Sequence, residues 1–381
     1  MKHKVLCGLD RVGAADGLLK GRRVGLMTNQ TGIDSRFRSA IDRIAARYRL
    51  TALFAVEHGI RGDAQAGESY ETRPDPITGA PVYAVYGKTR RLTADMLDAF
   101  DVLIFDMQDV GARFYTYLYA LSFAMEECAR AGKPVVVLDR VNPLGGERVE
   151  GTVLSARFAS YVGMYPLPTR YGLTIGEYAL WVKNRLRLDL DLTVVPLRGW
   201  KRAYYLDDLA IPWVAPSPNC ATFHAALVYP GCCVFEGVNV SEGRGTTLPF
   251  EYIGAPWIDA RALEKRMAAR SLPGLHFRAA YFTPTFSKYA GAPCAGVQVH
   301  VTDRNAACVT EGALTLLDEI RAMHGDCLQW HCNAPGDYFI DKLLGDDGYR
   351  LGRHDAHSLL AAHADARAAF TEERKAFLLY E

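Results

Sequence analysis

No apolar run in this 381-residue chain reaches the roughly 18–20 residues that a membrane span requires. Charge of either sign is not in excess. The 44 basic and 43 acidic side chains leave +1, so electrostatics give no reason to expect nucleic acid or an anionic membrane surface as partner. No strand candidate is followed by G-x-G-x-x-G, and no G-K-[ST] closes a glycine-rich loop. Dinucleotide and Walker-type phosphate binding are thereby disfavoured. Cysteines are scattered at 7, 128, 220, 232, 233, 294, 308, 327 and 332 with no C-x-x-C pair, which argues against a zinc ribbon or a dithiol redox site. Adjacent Cys232 and Cys233 read as core fillers, and a reducing compartment is expected. His224, His300 and His331 lack metal-ligand spacing, so neither metal nor other cofactor is expected. The opening MKHKVLCGLDRVGAADG has a basic pair but no hydrophobic core of leader length. That predicts a cytoplasmic protein, or a secreted or periplasmic one whose leader has been removed.

What is present is ordinary globular composition, 49% hydrophobic and 23% charged, at a length for which two domains are the natural prior. Residues 1–200 alternate β-branched runs with helical patterns. Strands are predicted at 23–28, 51–56, 82–86, 101–106, 134–138 and 192–196, and helices at 35–48, 93–99, 116–131 and 174–187. Such alternation implies right-handed βαβ units and a parallel sheet covered on both faces. Thr174 and Glu177 have capping-box spacing at the start of the last helix. The proline-rich stretch PWVAPSPNC (212–220) ends the alternation, placing a boundary near 205–215. Beyond it, a strand over 296–302, a helix over 310–323 and a helical terminus from Ala356 predict a smaller α+β domain.

Polar residues gather where the predicted strands end. RVGLMT runs into Asn29 and Gln30, TALFAV into Glu57, His58 and Arg61, DVLIF into Asp106, Gln108 and Asp109, and PVVVL into Asp139, Arg140 and Asn142. In an open parallel sheet these carboxyl ends share one crevice, the usual ligand site. Glu57 precedes Gly59 and Gly62, so a ligand can approach it closely, and desolvation there would favour a general acid. A salt bridge with Arg61 or a helix cap is the structural alternative. DMQDVGARFYTY (106–117) sets Asp106 and Asp109 beside Arg113, Tyr115 and Tyr117. That mixture suits a sugar, although tyrosines in this setting also pack helix against sheet. In the block 232–257, Glu236, Asn239, Glu242 and Arg244 fall among Gly237, Gly243 and Gly245, as in ligand-contacting loops on a rigid scaffold. Arg170, Asn219 of PSPN, and Lys288 and Tyr289 of FSKYAG are weaker signals.

Taken together, GLMTNQTG, VEHGIRG, FDMQDVGARFYTY, LDRVNPLGG, LPTRYGLTIGEYA, PSPN, FEGVNVSEGRGTTLPFEYIGAPW, FTPTFSKYAGAPCAGVQVHVTDR and FTEERKAFLLYE resemble the exo-β-N-acetylmuramidase family of peptidoglycan-processing glycosidases, over almost the whole chain. The resemblance implies a Rossmann-like N-terminal domain, taken as 1–210, and a smaller domain, 211–381, with the active site between them. It implies release of terminal N-acetylmuramic acid from the non-reducing ends of peptidoglycan fragments. The family commonly has histidine where this chain has Tyr171, which withholds a role from that position. On this reading Glu57 protonates the leaving oxygen and Asp109, Glu236 or Glu242 supplies the second carboxyl. Arg61, Arg113, Arg170 and Arg244 are candidates for gripping the lactyl carboxylate. Asn29, His58, Asp106, Tyr115, Asp139, Asn142, Asn219 and Asn239 are candidate substrate contacts. A metal-dependent hydrolase using the strand-end carboxylates, and a muropeptide-binding protein without catalysis, are the alternatives.

Overall fold

Strands β1 (Arg23–Thr28), β2 (Arg49–Ala55), β3 (Arg73–Pro74), β4 (Pro81–Ala84), β5 (Val102–Asp106), β6 (Val135–Leu138) and β9 (Leu192–Val195) form one seven-stranded sheet. Its order is β3-β4-β2-β1-β5-β6-β9. The computed structural model describes residues 2–57, 59–61, 73–87 and 89–381. Every pairing in this sheet is parallel except β3 with β4. The central strands are continuous apolar runs because both faces are covered. On β5, Leu103 and Phe105 enter the core beneath the helix Tyr117–Arg130, while Val102 and Ile104 enter the core on the opposite face with Ile41 and Ile44, as the period-two geometry of a strand requires.

Parallel register aligns the strand ends. Leu26 on β1 sits beside Leu53 on β2 and Ile104 on β5, and Thr28 beside Asp106. The residues that follow β1, β2, β5 and β6 therefore emerge on one edge. The expected helix over 174–187 is Ile175–Leu186, closed by a reciprocal capping box: Glu177 N–H donates to Thr174 Oγ1 (3.2 Å) and Thr174 N–H to Glu177 Oε2 (2.9 Å). The expected helix over 35–48 shortens to Ala40–Ala45. The Asp34 carboxylate accepts the backbone N–H groups of Arg36 and Arg38 (2.9 Å each), and such local bonds compete with helix. Phe37 then turns through the left-handed region (φ 62°), and Ser39 caps the helix that begins after it.

The second half carries a three-stranded antiparallel sheet of β10 (Tyr252–Ala255), β12 (Cys294–Val301) and β11 (Leu275–Phe282). The strands β7 (Glu150–Val153) and β8 (Pro168–Arg170) pair separately. Helix Ala260–Ala269 packs on the antiparallel sheet, and helix Val309–His324 packs against that helix and against helix Phe223–Cys232. The expected terminal helix is two, Ala356–Ala362 and Ala364–Glu373. One apolar core runs from Leu103 and Phe105 through Tyr178 and Trp181 to Ile253, Val297 and Leu316. It therefore joins the two halves. Cys232 and Cys233 are both free thiols buried in it. Among the described residues no helix is long and apolar enough to cross a membrane.

Candidate active site

A pocket of about 100 Å³ lies between the edge of the parallel sheet and the glycine-rich block of the second half. Glu57, Tyr115 with Thr116, Asn219 with Ser217, and Glu236 with Arg244 line it from four parts of the chain. Phe114, Tyr229 and Phe250 supply apolar wall.

Glu57 stands just past β2, where the parallel register delivers it to the edge. Both its oxygens are held. Tyr86 Oη donates to Oε1 (2.8 Å) and Thr116 Oγ1 to Oε2 (2.7 Å). A carboxyl gripped at both oxygens keeps one orientation. Burial and the adjacent Glu57 raise the Tyr86 phenol, so it stays protonated and a donor.

Glu236 comes from the short 3₁₀ turn Cys233–Gly237. Arg244 Nη2 meets Glu236 Oε1 at 2.8 Å, and Arg244 Nη1 reaches Glu242 Oε1 at 3.3 Å. Lys288 Nζ takes the other Glu242 oxygen (2.9 Å) and also donates to the Phe235 carbonyl (2.7 Å). Two carboxylates and two cations thus form one chain, in which Glu236 and Arg244 face the pocket and Glu242 stands behind them. Burial raises the Glu236 carboxyl despite the pull of Arg244, and the nearby Glu242 adds to the rise. Burial works against the Glu242 charge as well, but Lys288 and Arg244 outweigh it and hold that carboxyl below its usual range.

The remaining candidates are placed elsewhere. Asp106 is buried in a two-pronged ion pair with Arg140 (2.6 and 2.9 Å). Asp139 accepts from Thr174, Gly176 and Tyr380. Asn142 bonds the Leu173 carbonyl and the Leu144 amide, and Asn29 bonds Tyr117 and Thr31. Arg113, fully buried, donates to the carbonyls of Thr152, Leu167 and Leu343. Arg170 is paired with Glu150 (2.8 Å) and Arg61 with Asp75 (2.6 Å). Asn239 engages its amide with Cys327 and Gln329. Asp109 accepts from Gly111 N–H (2.7 Å) and from Tyr171, and burial pushes its carboxyl up to about 6. None of these side chains is on the pocket wall. His58 lies outside the described residues.

Thr116, Ser217, Tyr229 and Phe250 on the pocket wall, and Tyr86 against Glu57, are residues that the sequence reading does not single out. Tyr86 closes a predicted strand, so the strand-end rule that flags Glu57 applies to it too. Ser217 and Phe250 sit inside the PSPN and glycine-rich motifs, whereas nothing near Tyr229 distinguishes it from a core tyrosine.

The family profile described as exo-β-N-acetylmuramidase NamZ, N-terminal, matches residues 24–224, and that for the NamZ C-terminal region matches 227–380. The peptidoglycan β-N-acetylmuramidase NamZ of Bacillus subtilis (strain 168) is 44% identical, the match covering 100% of this chain and 92% of that protein. A crystal structure of a DUF1343 family protein from Bacteroides fragilis NCTC 9343 superposes with TM-score 0.91 at 32% identity, covering 100% of both chains. A second DUF1343 protein from that organism gives 0.77 at 28% identity over 99% of each chain. This chain therefore belongs to the NamZ family of exo-β-N-acetylmuramidases.

Proposed function

We propose that this protein is an exo-acting glycoside hydrolase that releases N-acetylmuramic acid from the non-reducing ends of peptidoglycan fragments, with Glu57 as proton donor. Family membership and the named activity of the Bacillus relative support the reaction class. The observation that carries the residue assignment is that Glu57 shares one pocket with Glu236 and Arg244. Two carboxyls flanking a glycosidic bond are the common equipment of glycosidases.

Glu57 gives its proton to the glycosidic oxygen as the bond from that oxygen to the anomeric carbon breaks. Glu236 faces the developing positive charge and either steadies it or activates the incoming water, and water then adds to the anomeric carbon. The substrate's own acetamido oxygen can take the nucleophile's place, with Glu236 then orienting it. The separation of the reacting groups around bound sugar decides whether configuration is retained or inverted. On this reading Asn219 and Ser217, which line the pocket, bind sugar hydroxyls, and the aromatic walls exclude water, which strengthens every charge interaction inside. N-acetylmuramic acid carries a lactyl carboxylate. Of the four arginines considered, Arg244 alone lines the pocket, and a guanidinium can bind a carboxylate through two hydrogen bonds.

Replacement Glu57→Gln tests the assignment. Turnover of a chromogenic N-acetylmuramide should fall about 10²–10⁴-fold with the circular dichroism spectrum unchanged. Near-normal turnover would remove Glu57 as the acid. Incubation with the disaccharide N-acetylmuramyl-N-acetylglucosamine should release free N-acetylmuramic acid, and a failure to cleave it would sink the reaction class.

A further inference from the structure

The loop that closes the catalytic pocket has a second face. Glu236 and Arg244 look into the pocket, whereas Asn239, between them in sequence, lines a separate open groove of about 410 Å³. Lys288, Tyr289, Gln329, Trp330 and His331 complete that groove. Its floor is rigid. Asn239 N–H donates to the Gln329 carbonyl (3.0 Å), Gln329 N–H to Asn239 Oδ1 (2.7 Å), and His331 N–H to the Gly237 carbonyl (2.8 Å). Tyr289 Oη donates to the Asn239 carbonyl (2.6 Å).

The groove's chemistry favours a neutral, hydroxyl-rich ligand. Lys288 lines it, but its ammonium is taken by Glu242 and two carbonyls, so that charge is not offered. The side chains of three consecutive residues, the Gln329 amide, the Trp330 indole N–H and the His331 imidazole, have no hydrogen-bond partner among the described residues. Trp330 is half-buried and meets Tyr349 edge-on (centroids 6.2 Å apart), an arrangement that holds an amphipathic ring in place. An indole flanked by free donors and acceptors suits the apolar face and the hydroxyls of a pyranose. The groove is also tied to the catalytic carboxyl by three contacts: Lys288 to Glu242 at 2.9 Å, Glu242 to Arg244 at 3.3 Å and Arg244 to Glu236 at 2.8 Å.

We infer that this groove is a second saccharide site, which holds the glycan beyond the terminal sugar and recognises its N-acetylglucosamine units through Trp330, Gln329 and His331. The inference rests on the glycosidase reading above. On that reading the pocket lined by Glu57, Glu236 and Arg244 takes the terminal residue of a strand, and the rest of a polymeric substrate must lie outside it.

Steady-state kinetics of Trp330→Ala on two substrates, with a separate binding measurement, test the site. On peptide-free glycan strands of several disaccharides the KM should rise about five- to tenfold, the loss expected for one stacking side chain. On a chromogenic N-acetylmuramide, too short to reach the groove, KM and kcat should stay as in the parent. Calorimetric titration of Glu57→Gln protein with a chitin tetrasaccharide should show binding that is lost in the Glu57→Gln, Trp330→Ala double variant. Equal KM changes on both substrates, or tetrasaccharide affinity indifferent to Trp330, would overturn the proposal. The titration needs no turnover, so an error in the catalytic assignment would not change what it says about the groove. Should Trp330→Ala not fold, Gln329→Ala, which alters an exposed side chain, carries the same test with the same outcomes.

Discussion

Arg244 does two jobs with one guanidinium: it keeps Glu236 and Glu242 from repelling each other, and it is the cation on the pocket wall. Arg244→Lys separates these, because a lysine keeps the charge between the carboxylates and loses the planar fork. The KM for an N-acetylmuramide should rise roughly tenfold or more, the worth of a charge-assisted hydrogen bond, while kinetics on the matching N-acetylglucosaminide, which lacks the lactyl group, should change little. Equal losses on both sugars would show that Arg244 serves only Glu236. At this scale residue type carries much of the information. Glu57, Tyr115, Asn219, Glu236 and Arg244 are all marked by their place at a strand end or among glycines and prolines, and the pocket gathers them. Asp106, Asp139, Arg113 and Arg170 bear the same marks and are instead consumed by buried partners. A strand-end carboxylate looks alike in a chain whether an arginine from another strand's end neutralises it or a ligand does.

Among elements, the glycine-rich segment depends on backbone that other residues cannot adopt easily. Gly245 has φ 81°, and a Cβ there would sit 2.5 Å from the Phe286 carbonyl oxygen. Gly291 has a similar φ of 77° but open space around it. Gly291→Ala should therefore cost about 1 kcal/mol, the penalty of the left-handed region alone. Gly245→Ala should cost more, about 2–3 kcal/mol, and should raise KM as Arg244 shifts beside it. Denaturant midpoints and kinetics on both variants check this, and equal midpoints would show that the loop relaxes freely around the new methyl group. The parallel strands are legible in the sequence because a strand covered on both faces must be apolar throughout. The helix expected over 35–48 is too long, because a periodic pattern does not reveal that the Asp34 side chain will capture the two amides that would have started it.

Across the whole molecule, Tyr380 reaches back to the carboxyl edge of the sheet. Tyr380 Oη donates to Asp139, which also accepts from Gly176 N–H (2.7 Å) and Thr174 Oγ1 (2.8 Å). Tyr380 packs edge-on against Trp200 at 5.2 Å. Burial pushes the Asp139 carboxyl up to about 7, against the pull of its hydrogen bonds. A carboxyl raised in the folded state binds its proton more tightly there than in the unfolded chain. Its contribution is thus fully present below about pH 4 and is lost as pH rises to about 7. Stability measured by denaturant across that window should decline with pH, and Asp139→Asn, which cannot ionise, should flatten the decline. An unaltered slope would place the dependence on other groups.

The chain alone determined that a mostly parallel sheet with helices on both faces would form, since apolar runs and helical periods are local patterns that survive whatever surrounds them. It also determined the family, because the motifs that carry it are contiguous stretches. Only the tertiary structure decided which charged groups face the pocket and which are neutralised in the interior. That choice depends on partners brought together from distant positions, such as Arg140 beside Asp106 and Tyr86 beside Glu57, and a burial cost borne by one residue and relieved by another leaves no mark at either position in the sequence.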